Sequence, residues 1–200
     1  MNKAKEYLGL VQQTIEALDH SAIEKMANLF LETYHAGGNI YTFGNGGSGA
    51  SASHAAGDFL KGASYGLEKR FRMICLNDNA AALMAIANDI GYEDIFVEQL
   101  KNFIKPIDLV IGISGSGNSE NVVRAIEFAK TKNAKTVAMT GFGGGKISQM
   151  ADVSVNAPVM DMEVTEDIHM MIFNVVKKQM QAELLGDNPS MGKVYDQRTP

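Results

Sequence analysis

Cysteine is nearly missing: Cys75 is the one thiol in 200 residues, so no internal disulfide can hold the fold and a cross-linked secreted scaffold is excluded. An excess of positive charge is lacking as well. With 18 Lys and Arg against 23 Asp and Glu, the formal net charge is −5, which disfavours direct capture of nucleic acid or of an anionic membrane surface. Any anion has to be held by local groups. No apolar run approaches the roughly 20 residues of a membrane span. Met1 to Lys5 lead into a patterned helix where a signal peptide would have an apolar core, so the expected location is cytoplasmic. What the chain does have is 46% hydrophobic residues, enough at this length for one well-buried core. With no linker to divide it, 1–185 reads as a single domain. The polar stretch 186–200, with two prolines, reads as a tail that frays or docks on a partner subunit.

Apolar residues recur at helical spacing through Tyr7, Leu10, Val11, Ile15 and Leu18, and again through Ile23, Met26, Phe30 and Tyr34. This predicts a helical pair within 1–37, the second helix opened by a capping box of Ser21 with Glu24 and stopped by Gly37 and Gly38. The period then changes. Ile40 to Phe43 is a short apolar run that ends in Gly44-Asn45-Gly46-Gly47-Ser48 and an Ala/Ser-rich helix. The same grammar returns at 108–113, followed by Ser114-Gly115-Ser116-Gly117-Asn118-Ser119 and a helix through Val122, Val123, Ile126 and Ala129. Further buried strands are predicted at 72–76 and 135–140, with a fifth at 153–155. Helices are predicted at 80–87, 93–104 and 163–185, the last with Ile168, Ile172, Val175 and Val176 on one side. Strands alternating with helices give an α/β fold, a parallel sheet covered on both faces.

In open parallel sheets ligands sit beyond the carboxyl ends of the strands, where both Gly/Ser-rich loops fall, so both are expected to rim one pocket. Glycine lets the backbone approach an anion, helix N-termini offer unpaired N–H groups, and Ser114, Ser116 and Ser119 add hydroxyl donors. Hydrogen bonds to a charged group contribute roughly 1.5–3 kcal/mol each, so four or five would outweigh a diffuse, screened negative charge. The competing explanation is a pair of tight turns in which Ser119 or Asn118 merely caps a helix. One loop alone would be explained that way; two on one rim favour a phosphate cradle. Gly44, Gly46 and Gly49 also match a dinucleotide-binding fingerprint, with Asp78 as its ribose ligand, but that use leaves 114–119 without a role. Gly143-Gly144-Gly145-Lys146 lacks the Ser or Thr of an ATP-binding loop, since Ile147 follows.

His54 and Asp58 lie four apart and share a helix face, as do Glu166, Met170 and Asn174, with His169 close by. An imidazole and a carboxylate so placed can move protons or hold a metal; equally, both histidines can be ordinary helix residues and both acids can pair with lysines. Met160, Met162, Met170, Met171 and Met180 read as packing or subunit interface.

The loop at 44–48 with His54 six residues on, Ala87-Asn88-Asp89, the segment 113–119, Thr140-Gly141 and Glu166-Asp167-Ile168-His169 together resemble the sugar isomerase (SIS) domain family, within it the phosphoheptose isomerases, over about 1–185. The resemblance implies a three-layer αβα sandwich around a flavodoxin-like five-stranded parallel sheet, a homotetramer, and aldose–ketose isomerisation of sedoheptulose 7-phosphate through an enediol. It implies that Asn45, Gly46, Gly47, Ser48, Asn88, Asp89, Ser114, Gly115, Ser116 and Ser119 hold the sugar phosphate together with Glu166. It places Asp58 as base with His54 beside it, and His54, Asp58 and Glu166 at a zinc (Zn2+) site. The isomerases carry Glu at the position of Asp58, Gln at Glu166, and a second catalytic His at Asn174. That last position also resembles non-catalytic members of the fold, which associate with the replication initiator DnaA; a phosphosugar-binding or initiator-binding scaffold is therefore the alternative expectation.

Overall fold

The computed structural model describes residues 2–186, so the tail read at 186–200 lies, beyond Gly186, outside the described residues. The two N-terminal helices form where the apolar stripes place them, α1 at Lys3–Glu16 and α2 at His20–Ala36. The expected Ser21–Glu24 box does not open α2. Asp19 does, its carboxylate accepting from Ser21 N at 2.9 Å and Ala22 N at 3.3 Å. A carboxylate answers both the unpaired amides and the positive end of the helix, so it displaces the hydroxyl two residues downstream. Gly37 closes α2 at φ +74°, as expected.

Five parallel strands follow: β1 (Ile40–Gly44), β2 (Met73–Cys75), β3 (Leu109–Ser114), β4 (Lys135–Thr140) and β5 (Val153–Asn156), in the order β2-β1-β3-β4-β5. Between and after them run α3 (Gly46–Asp58), continued by a π-helical turn Phe59–Ala63, α4 (Ala80–Asp89), a 3₁₀ turn Tyr92–Asp94, α5 (Val97–Lys101), α6 (Glu120–Thr131), α7 (Gly145–Met150) and α8 (Met162–Leu185). Alternate strand residues divide the core in two. Ile40, Ile111, Ile113, Val137 and Met139 pack under α1, α2, α3 and α8, while Tyr41, Phe43, Val110 and Ala138 pack with α5, α6 and α7. This is the expected three-layer sandwich with strands buried on both faces.

Three elements depart from expectation. β2 is shorter than 72–76, and Ile74 is 43% exposed because β2 is an edge strand. The helix expected over 93–104 breaks into the 3₁₀ turn and α5. Asp94 is held by Arg124 through two 3.0 Å bonds, and Phe96 stacks on Phe43 with ring centroids 4.7 Å apart. Residues two apart point to opposite sides of a helix, so one continuous helix cannot serve both anchors. On α8, Ile168, Ile172 and Val176 are buried but Val175 is exposed, one position off the packed stripe.

Candidate active site

The chain leaves β1 toward β2 on one side and returns to β3 on the other, so the crevice beyond the carboxyl ends of β1 and β3 is the switch point of the sheet. Both Gly/Ser-rich loops lie there. They are joined by a reciprocal amide pair: Asn45 Nδ2 donates to Asn121 Oδ1 at 3.0 Å and Asn121 Nδ2 donates to Asn45 Oδ1 at 2.9 Å. Tyr92 adds a third strut, its hydroxyl donating to Asn45 Oδ1 at 3.0 Å. A groove of about 460 Å³ runs between Asn45, Tyr92, Ser119 and Asn121.

The first loop is shorter than its glycines suggest, because α3 begins at Gly46 (φ +53°), a backbone angle that favours glycine. Neither helix that opens on the crevice is capped by its own N-cap side chain. Asn45 is turned to Asn121, and Ser119, although it stands at the N-cap of α6, shares a 3.1 Å hydrogen bond with Ser114 instead. The capping explanation therefore fails for Ser119, and although Val122 N donates to Asn121 Oδ1 at 3.0 Å, the amides of Gly46, Gly47 and Ser48 in α3 and of Glu120 and Asn121 in α6 remain available to an anion. Asn118 does serve structure: its Oδ1 accepts from Lys146 N at 3.1 Å and its Nδ2 donates to Ser116 O at 2.9 Å. The other two glycines of the dinucleotide-like spacing are packing residues. A Cβ on Gly44 would lie 2.7 Å from Ile113 O, and one on Gly49 would lie 2.8 Å from Gly44 O and 2.9 Å from Asn77 Nδ2. Asn77 binds both backbone polar groups of Gly44, at 3.2 and 2.8 Å, while Asp78 is exposed.

Helices α3 and α8 run parallel and in step. Glu166 lies over Gly47, Lys177 meets Asp58 and Gln181 Nε2 donates to Gly62 O, each pair 119 residues apart. This register places Asn174, exposed, level with Ala55, the residue after His54. A Cβ on Gly47 would fall 2.2 Å from Glu166 Oε1, so that carboxylate stands against the first turn of α3. His54 Nε2 is 3.7 Å from Asp58 Oδ2, and the Lys177 ammonium binds the same oxygen. Asn88 and Asp89 end α4, bonded to each other at 2.6 Å and exposed, with Tyr92 the nearest residue of their segment to bond the first loop. His169 faces away from all of these. It is fully buried, and its Nε2, at 2.9 Å from Thr140 O, must be the protonated nitrogen, since a carbonyl only accepts. Burial holds this imidazole below its ordinary pKa, against the smaller opposing effect of the Thr140 carbonyl. His169, close by in the sequence pattern, is thus a core histidine.

The donor set does not fit zinc as the resemblance implied. Among the described residues no three His, Cys, Asp or Glu side chains gather closely enough to share a metal ion, because Glu166 is at Gly47 while His54 and Asp58 lie two to three turns further on, and Lys177 fills the cationic position at Asp58. Residue patterning missed Tyr92, Asn121 and Lys177. Asn121, two residues past Ser119, could have been suspected from the polar run; nothing local marks Lys177, whose partner is 119 residues away.

Comparison with known proteins adds to this geometry. The family described as "SIS domain" matches residues 5–141. The Thermoplasma volcanium protein named "Probable phosphoheptose isomerase" is 39% identical over 163 residues, covering 82% of this chain and 81% of that protein. The phosphoheptose isomerase of Helicobacter pylori strain 26695 is 35% identical over 176 residues, covering 86% and 90%. The solved phosphoheptose isomerase of Neisseria gonorrhoeae superposes with a TM-score of 0.82 at 28% identity, over 90% of this chain and 96% of that one. At 14% identity and a TM-score of 0.63, the Vibrio vulnificus NanR protein complexed with ManNAc-6P shares the fold alone.

Proposed function

Because the chain belongs to the SIS domain family, we propose that it is an aldose–ketose isomerase of sugar phosphates, of the phosphoheptose isomerase type and acting on sedoheptulose 7-phosphate. The observation that carries this reading is the pairing of two uncapped helix N-termini at one switch point through Asn45 and Asn121. Ser114, Ser116 and Ser119 with the amides of Gly46, Gly47 and Ser48 hold the phosphate. The distance from there to the proton-transfer pair acts as a ruler. His54 lies eight residues along α3 from Gly46, about 12 Å at 1.5 Å per residue, and side chains lean back toward the N-terminus. A seven-carbon chain with its phosphate, extended on bonds near 1.5 Å, spans on the order of 10 Å, whereas a triose phosphate would leave its carbonyl well short.

The chemistry follows from two groups. Asp58 takes the proton from C1 of the ketose while the C1–C2 double bond forms and the carbonyl oxygen at C2 takes a proton from His54. His54 then recovers a proton from the C1 hydroxyl as the aldehyde forms, and Asp58 returns its proton to C2. Protons and electrons balance without a redox partner. Asp58→Asn is expected to abolish turnover while sedoheptulose 7-phosphate still raises the melting temperature; turnover equal to the native protein would remove Asp58 from the mechanism.

The working unit is a homotetramer in the cytoplasm. Supporting assembly, Ile15, Met171 and Val175 are exposed beside an apolar groove of about 360 Å³ between α1, α2 and α8. A monomeric mass by light scattering would remove that reading. Among the described residues no helix is long and apolar enough to cross a membrane.

A further inference from the structure

We propose that Lys177 is a positioning residue that serves Asp58 in place of a divalent metal ion, so that the site works on a cation carried by the chain itself. The assignment rests on the isomerase reading for its catalytic consequence but on geometry for its substance. Lys177 projects from α8, and its ammonium binds Asp58 Oδ2, the same oxygen that faces His54 Nε2 at 3.7 Å. The pair is screened from solvent to a useful degree: the Lys177 side chain is 17% exposed and that of Asp58 33%. The lysine is also fixed in place. One turn on, Gln181 donates to Gly62 O at 3.1 Å, and Gly62 lies in the π-helical turn that directly follows Asp58. Departures from regular helix of this kind are frequent at functional sites, and here the turn starts one residue after the carboxylate.

Three consequences follow. First, with Oδ2 bound by Lys177, the carboxylate is held in one orientation, and Oδ1 is the oxygen assigned to proton transfer. Second, a divalent ion at Asp58 would stand within ion-pair distance of a fixed positive charge, which opposes its binding. Third, the packing of α8 on α3 gives Asp58 a cationic partner from 119 residues away in the chain, so the charge at the site is set by the fold itself.

The test compares the native chain with Lys177→Met and Lys177→Arg by zinc calorimetry, zinc content, melting temperature and turnover of sedoheptulose 7-phosphate. The native chain and Lys177→Arg are expected to lack stoichiometric zinc and to keep turnover after chelator treatment. Lys177→Met is expected to bind zinc at least about tenfold more tightly than the native chain, having lost the opposing charge. Its kcat is expected to fall about 100-fold with KM and melting temperature little changed, and Lys177→Arg to recover most of that loss. Stoichiometric zinc on the native chain with the affinity seen in Lys177→Met, or a Lys177→Met kcat equal to the native value, overturns the assignment. If the native chain turns over no heptulose phosphate, the isomerase reading falls by itself and the zinc comparison alone decides the role of Lys177.

Discussion

Ser119 and Glu166 show how single groups set the affinity of the cradle in opposite directions. Ser119 makes no capping bond, so its hydroxyl contributes little to α6 and is available to a phosphate. Ser119→Ala is expected to weaken phosphosugar binding by about tenfold or more, the value of one hydrogen bond to a charged group, with the melting temperature of the free protein nearly unchanged. A loss of stability without loss of affinity would return Ser119 to a structural role. Glu166 stands against Gly47, at the end of α3 that receives the dianion. Replacing it by the neutral isostere, Glu166→Gln, is expected to tighten binding of inorganic phosphate and of the phosphosugar by about tenfold in calorimetry, since a like charge is removed at short range. Weaker phosphate binding in that variant would show that the carboxylate is not repelling the ligand. The serines and glycines that build this end were legible in the sequence because donors and glycines at strand ends leave a local pattern. Tyr92, Asn121 and Lys177 were not, because each acquires its role from a partner on another element.

Helix α8 is the element that converts the fold into a site. Its buried stripe of Ile168, Ile172 and Val176 seats it on the sheet, and its fixed register against α3 delivers Glu166 to the first turn of α3 and Lys177 to its last residue, Asp58. His169 ties the helix to β4 through Thr140, with its second ring nitrogen buried and unpartnered. Because burial depresses the folded-state pKa of this imidazole, the folded protein resists its protonation. Its contribution is fully present above about pH 6.5 and is lost as the pH falls from there toward the depressed folded value, by up to about 1.4 kcal/mol per pH unit. Urea unfolding between pH 8 and pH 5 is expected to show that slope, and His169→Gln, which can still donate to Thr140, to flatten it; equal slopes in the two proteins would place the acid sensitivity elsewhere. Periodicity was sufficient to find α8 and its buried stripe. It could not tell that His169 turns inward, since a polar residue adjoining an apolar stripe is resolved only by what the neighbouring strand offers it.

At the scale of the whole molecule, the order β2-β1-β3-β4-β5 brings two loops some 70 residues apart in sequence to one rim, and the α3–α8 pair sets the distance from that rim to His54 and Asp58. The alternation of strand and helix made this architecture readable from composition and period alone. The extent of the edge strand and the break at 93–104 were not, because they depend on which neighbours the sheet order supplies. Function at this scale depends on a phosphate anchored at the N-terminal end of α3 while protons move toward its C-terminal end. Incubating the purified protein with sedoheptulose 7-phosphate in deuterated water and following C1 and C2 by NMR tests this most directly. Deuterium entering those carbons together with the appearance of an aldose phosphate is the expected result; a sugar that binds and shifts the melting temperature yet stays fully protonated and unconverted would contradict it.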